Sequence, residues 1–139
     1  MKQFIVLAAV LPLIMVFIMQ FSLEQMNQGR IAALQELVYG AKERAKQEGR
    51  FTPEIRAALA RDIAKRFKVD ERDIVIEADN RVKYRRNRFD EREMISYRIE
   101  VPIERIMAGN RLMGISDEEN AGRYVIEGST ASEKLRDEP

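Results

Sequence analysis

Every position from Phe4 to Met19 is apolar, and no charge falls between Lys2 and Glu24. At a helical rise of about 1.5 Å per residue, residues 3–23 reach roughly 32 Å, the thickness of a bilayer's hydrocarbon core. A segment that is oily on all sides predicts a transmembrane helix. Beyond it the pattern narrows to one stripe. Ile31, Leu34, Val38, Ala41 and Ala45 recur at steps of three and four, while Arg30, Gln35, Glu36, Lys42, Glu43, Arg44 and Lys46 lie mostly off it. No proline falls between Leu13 and Arg50, so span and stripe read as one helix from about Phe4 to Glu48, roughly 65 Å long. Gly29 and Gly40 weaken that helix by about 1 kcal/mol each relative to alanine. Gly49 stands where the helix should stop.

Thr52-Pro53-Glu54 supplies a hydroxyl cap, a proline for the first helical position and a carboxylate near the positive end. Ile55, Leu59, Ile63 and Phe67 follow at spacing four, with Ala58 and Ala64 beside them, and predict a second helix over Pro53–Phe67 that buries this face. The period then changes to two. Asp73–Ala78 is β-branched and apolar, and Asp79-Asn80 marks a turn. Residues 81–86 suggest a short strand through Val82 and Tyr84. Met94–Val101 is the clearest strand, with Ile95, Tyr97, Ile99 and Val101 on one face and Ser96, Arg98 and Glu100 on the other. Pro102 suits its end. Ile103–Ser116 reads as either a short helix or a loop. Gly122–Thr130 reads as the last strand, with Tyr124 and Ile126 opposite Val125 and Glu127.

These elements define an α+β chain: a long N-terminal transmembrane and amphipathic helix, a second short helix, and a small antiparallel sheet of three or four strands. A sheet with one apolar face needs a cover, and the stripe offers it through Ile31, Leu34, Val38 and Ala41. The expected divisions are an anchor at 1–23, its amphipathic continuation at 24–49, an extracytoplasmic α+β domain at 50–131, and a polar tail at 132–139 that should fray.

Composition sharpens the picture mainly by exclusion. After residue 23 the remaining 116 residues carry 23 basic and 23 acidic groups, and the whole chain has a net charge of +1. No long-range field draws in nucleic acid, so no specific nucleic-acid partner is expected. The chain has no cysteine and no histidine, which removes disulfides, thiolate sites and the commonest general base and metal ligand. No catalytic residue, metal or cofactor is assigned. Lysine or carboxylate catalysis stays formally open.

A cleavable signal has an apolar stretch of about 7 to 15 residues and then a small-x-small site. Here the run is longer, and Gln20-Phe21-Ser22-Leu23-Glu24-Gln25-Met26 offers no such site. The segment is therefore expected to stay as a signal anchor. Lys2 and the amino group place the short side in the cytoplasm by the positive-inside preference, leaving the bulk outside.

Two polar clusters invite other chemistry. Arg81, Lys83, Arg85, Arg86 and Arg88 surround Tyr84, a pattern that single-strand binders show. Asp90, Glu91 and Glu93 follow at once and cancel much of that field. The cluster reads as a solvated hairpin or partner-facing surface, with acidic headgroups or an acidic polymer as the other candidates. Arginine outnumbers lysine 17 to 7, which favours forked pairing with carboxylates of neighbouring subunits. Asp117-Glu118-Glu119-Asn120 offers oxygen ligands for calcium, but without the spaced ligands and glycine of a calcium loop. Asp70, Glu71 and Asp73 read more simply as a turn into the first strand.

The stretch Ala8-Ala9-Val10-Leu11-Pro12-Leu13-Ile14-Met15, leading a helix whose outer half should cover a small sheet, resembles the type IV pilin class and in particular Tad-type pseudopilins. The motif covers about the first 25 residues; the rest is similar in layout only. A mature pilin usually carries a glutamate at its fifth position after a glycine cleavage site, whereas here Ile5 stands and no glycine precedes it. The resemblance then implies an atypical minor subunit, or one given without its leader. It also implies lateral bundling of helices through Phe4, Leu7, Leu11, Pro12, Ile14, Phe17, Ile18 and Phe21, with the membrane and other pilin-like subunits as partners. Pro12 cannot bond the Ala8 carbonyl, which would let the segment adapt between bilayer and bundle. The resulting expectation is a structural subunit or assembly factor of a pilus or related secretion filament, found in the membrane or in an extracellular filament. Two rivals stand beside it: a membrane-anchored binding or sensor domain that never polymerises, and an accessory domain or enzyme acting on envelope substrates.

Overall fold

The computed structural model describes residues 1–85 and 93–135. The long first helix, α1, runs over Lys2–Glu48 and is continuous through Pro12. The second, α2, spans Pro53–Phe67. Three strands follow, β1 (Val75–Ala78), β2 (Met94–Ile103) and β3 (Gly122–Ala131), forming an antiparallel sheet in the order β1-β2-β3. The chain is thus α+β, as its periodicities predict. It divides into two compact units, Met1–Ile31 with Ile103–Gly122, and Ala32–Pro102 with Arg123–Pro139.

The second unit holds the hydrophobic core. Leu34, Val38, Ala41 and Ala45 of α1 meet Ile55, Leu59, Ile63 and Phe67 of α2 and Ile95, Ile99 and Val101 of β2. Phe51 is fully buried among them, its ring 5.7 Å from that of Tyr97. Local signals set the helix ends. Gly49 has φ +77, and a Cβ there would run into the Lys83 carbonyl oxygen, so only glycine fits. Thr52 caps α2 by accepting the Ile55 N–H at 3.2 Å. At its far end Lys68 takes a left-handed φ of 54 and its N–H returns to the Ala64 carbonyl. Strand β1 pairs with β2 in the register Val75 with Glu100 and Ala78 with Tyr97.

Three expectations change. The first strand begins at Val75 and not Asp73, because Asp70 accepts the Arg72 N–H and winds Glu71–Asp73 into a 3-10 turn. Residues 81–85 form no strand. Their backbone pairs elsewhere, with Lys83 N–H donating to Gly49 O at 2.8 Å and Arg85 N–H to Lys134 O at 2.8 Å. The start of the expected tail is held and not frayed. Ser132 is buried, its N–H donates to Glu93 O and its hydroxyl to Lys83 O, while Glu133 N–H donates to Lys46 O. Residues 136–139 lie outside the described ones.

The first unit consists of the apolar part of α1 and the segment between β2 and β3. That segment, read as either helix or loop, is a loop with one short 3-10 turn at Asn110–Met113. Gly109 and Gly114 bracket the turn with φ of 68 and 75, a left-handed conformation that glycine adopts without strain.

Candidate functional site

The apolar half of α1 is bare. Residues 1–15 are exposed on every side, as are Phe17, Ile18, Met19 and Phe21. Of the residues expected to bundle, Phe4 is 75% and Phe17 74% exposed, and Leu7, Leu11, Pro12, Ile14, Ile18 and Phe21 are likewise uncovered. This segment is a candidate membrane anchor by length and composition. Leu34, Val38 and Ala41 sit in the core of the second unit, while Ile31 is half-buried in the first.

Within the first unit only one line of α1 is covered, at Val16, Gln20, Leu23 and Asn27 and on to Arg30 and Ile31. The early spacings of four, three and four place these residues on one face. The loop of residues 103–122 covers Val16, Gln20 and Asn27. The Gln20 carboxamide uses both ends: its Nε2 donates to Ile106 O at 3.3 Å and its Oε1 accepts Ala108 N–H at 2.8 Å. One turn or two further along, Asn27 Nδ2 donates to Arg105 O at 3.2 Å. Gly109 lies beside Val16, near enough that a Cβ would stand 3.6 Å from its methyl carbon. A crevice of about 340 Å³ runs between loop and helix, lined among others by Ile18, Met19, Met26 and Met107.

The loop is closed by two more amides. Asn120 mimics a strand partner for Met107, accepting its N–H at 2.8 Å and donating to its carbonyl at 2.9 Å, while Ile106 N–H bonds Asn120 O. Asn110 donates to Ile115 O at 3.0 Å and to Asp117 at 2.9 Å. Ser116 and Glu119 bond reciprocally, Glu119 Oε2 accepting the Ser116 N–H and Ser116 Oγ accepting the Glu119 N–H. This is a capping box that winds a turn. The acidic run considered for calcium is therefore engaged internally, and among the described residues no group of three or more acidic side chains is placed to hold a metal ion. Arg111, 2.5 Å from Asp117, and then Asn110 hold the Asp117 carboxyl down to about 2. The bonds from Ser116 lower Glu119 as well.

Gln20, Asn27 and Asn110 were not singled out from the sequence, and Asn120 only as a possible calcium ligand. The available signal was a lone amide, Gln20, closing an apolar run, with Asn27 seven residues on.

The basic cluster is only partly described. Arg81 and Arg85 are exposed and Lys83 and Tyr84 half-buried, while Arg86 and Arg88 lie outside the described residues. On the sheet, Arg98 pairs with Glu100 at 2.8 Å and Glu127 at 3.4 Å, and Arg123 with Glu100 at 3.5 Å. Such solvated pairs contribute little individually.

Comparison with protein-family models, curated proteins and solved structures finds no match to this chain.

Proposed function

We propose that this protein is a single-span membrane protein, amino end in the cytoplasm and α+β head outside, that serves as a structural subunit or assembly factor of a pilus-like filament, in the manner of the Tad-type minor pilins it resembles. One observation carries the reading: α1 is continuous from Lys2 to Glu48, yet its first fourteen residues, Lys2 to Met15, are covered by nothing. In water that surface is untenable, since each Leu, Ile or Phe left exposed forgoes about 1.5 to 3 kcal/mol of burial. A bilayer satisfies it first. Other helices of the same kind satisfy it once subunits leave the lipid. In the second unit one stripe of the same helix, Leu34, Val38, Ala41 and Ala45, is buried in the core, so the folded domain is carried on the helix that would bundle.

The chain has no cysteine, so one introduced thiol reports contacts without background. Phe4→Cys should crosslink to neighbouring pilin-like helices under mild oxidation in cells. Adding Phe17→Asp should abolish those adducts while leaving the head folded. A membrane-bound chain that gives no adducts would favour the anchored binding or sensor domain. A soluble product trimmed near Ser22 would end both readings.

A further inference from the structure

We propose that the loop of residues 103–122 is a second membrane contact, whose tip at Leu112 and Met113 enters the outer lipid–water interface beside the span. This rests on the membrane-spanning part of the reading above and is independent of polymerisation.

The loop runs down the helix in order. Arg105 bonds Asn27, Ile106 and Ala108 bond Gln20, and Gly109 reaches Val16. From Asn27 to Val16 is eleven residues, about 16 Å along the axis. Leu112 and Met113 follow three and four residues after Gly109, and the Leu112 N–H turns back to the Gly109 carbonyl at 3.0 Å. Leu112 is 82% exposed and Met113 60%, so the tip presents its apolar side chains away from the protein.

Length decides what meets them. The stretch that is bare on every side, Lys2 to Met15, covers only about 20 Å, short of a hydrocarbon core of about 30 Å. To fill that core the bilayer must extend to about Leu23. Gln20 then lies about 5 Å and Val16 about 10 Å below that level. Interfacial elements bury their apolar faces about 5–10 Å into the boundary. Gln20, the amide that docks the loop nearest its tip, uses both its oxygen and its nitrogen within the protein, as a polar group at membrane depth requires. The crevice lined by Ile18, Met19 and Met107 opens at the same level and suits an acyl chain.

Charge does not drive the contact. Residues 103–122 carry Glu104, Asp117, Glu118 and Glu119 against Arg105 and Arg111, so anionic lipid offers no attraction. Zwitterionic lipid should suffice.

The chain has no tryptophan, so Leu112→Trp or Met113→Trp introduces a single reporter at an exposed site. The full chain is reconstituted in phosphatidylcholine vesicles, with Phe17→Trp as a separate reporter of the span. The expected result is blue-shifted emission at both positions, with lipids brominated high on the acyl chain quenching most of the Leu112→Trp signal. Quenching at Phe17→Trp without quenching at either tip variant would overturn the loop contact and leave the span intact. Quenching at neither would remove the span and the contact together. A blue shift at the tip that resists bromolipid and fades as protein is diluted in lipid would place another copy there, and would also overturn the proposal.

Discussion

The two units solve opposite problems with the same helix. In the second, apolar residues of α1, α2 and β2 close on each other, and Leu34, Phe51, Ile63, Ile95, Ile99 and Val101 are inaccessible to water. Its ion pairs lie outside that core and are optional. In the first, the apolar surface faces outward and the cohesion is polar: Gln20, Asn27, Asn110 and Asn120 tie a loop to itself and to α1. A core of the first kind is driven by water. Amide bonds of the second kind gain strength as the surrounding dielectric falls. The second unit thus hides its apolar side chains within itself, whereas the first leaves those of a candidate membrane anchor uncovered.

The sharpest way to break this contrast is through the core. Phe51→Ala removes a fully buried ring that meets Tyr97, and such truncations cost about 3–5 kcal/mol. Denaturant unfolding of the full chain in micelles should show the head's midpoint fall sharply. Amide exchange at Ala108, in the other unit, should stay as it was. Loss of protection in both units at once would mean they do not act independently.

Gln20→Leu attacks the other side. It keeps the size and raises the hydrophobicity of the anchor, so a purely greasy helix would tolerate it. Here it strands the Ala108 N–H, whose loss of a partner costs up to about 1–3 kcal/mol where the group is buried, and releases the more exposed Ile106 carbonyl at little cost. Hydrogen exchange should accelerate at Ala108 and its neighbours while Ile99 and Val101 remain protected. Unchanged exchange at Ala108 would show that the loop does not depend on this amide.

The same contrast explains what could be read in advance. Helix α2 was legible to the residue, because Thr52, Pro53 and the spacing of Ile55, Leu59, Ile63 and Phe67 are local signals that agree. Gly49 was legible for the same reason. The loop was not. Its side chains bond backbone groups, and the partners of Gln20 lie more than eighty residues away; a backbone carbonyl has no letter in a sequence. Residues 81–85 misled for a related reason. Alternating Val82 and Tyr84 suggested a strand, but their neighbours' amides found Gly49 and Lys134 instead. The apolar segment was legible as such, since sixteen consecutive apolar positions, Phe4–Met19, need no partner in the chain to be recognised.

The smallest expected effect concerns the loop's own charge pair. The Asp117 carboxyl is held at about 2, below its ordinary 3.8, first by Arg111 and then by Asn110. A depressed acid stabilises the closed loop above its unfolded value and loses that contribution as pH falls through the folded one. The contribution is therefore complete above about pH 4 and disappears toward pH 2. Because the pair is exposed, salt screens it. Arg111→Ala should let Asp117 titrate closer to 3.8, followed by its carboxyl carbon shift, and should shrink the loosening of the loop between about pH 4 and pH 2, since the pair's contribution is then missing at every pH. If Asp117 titrates as before in that variant and moves only in Asn110→Ala, the buried amide and not the exposed guanidinium closes the loop, which would extend the amide rule of this unit to its last polar contact.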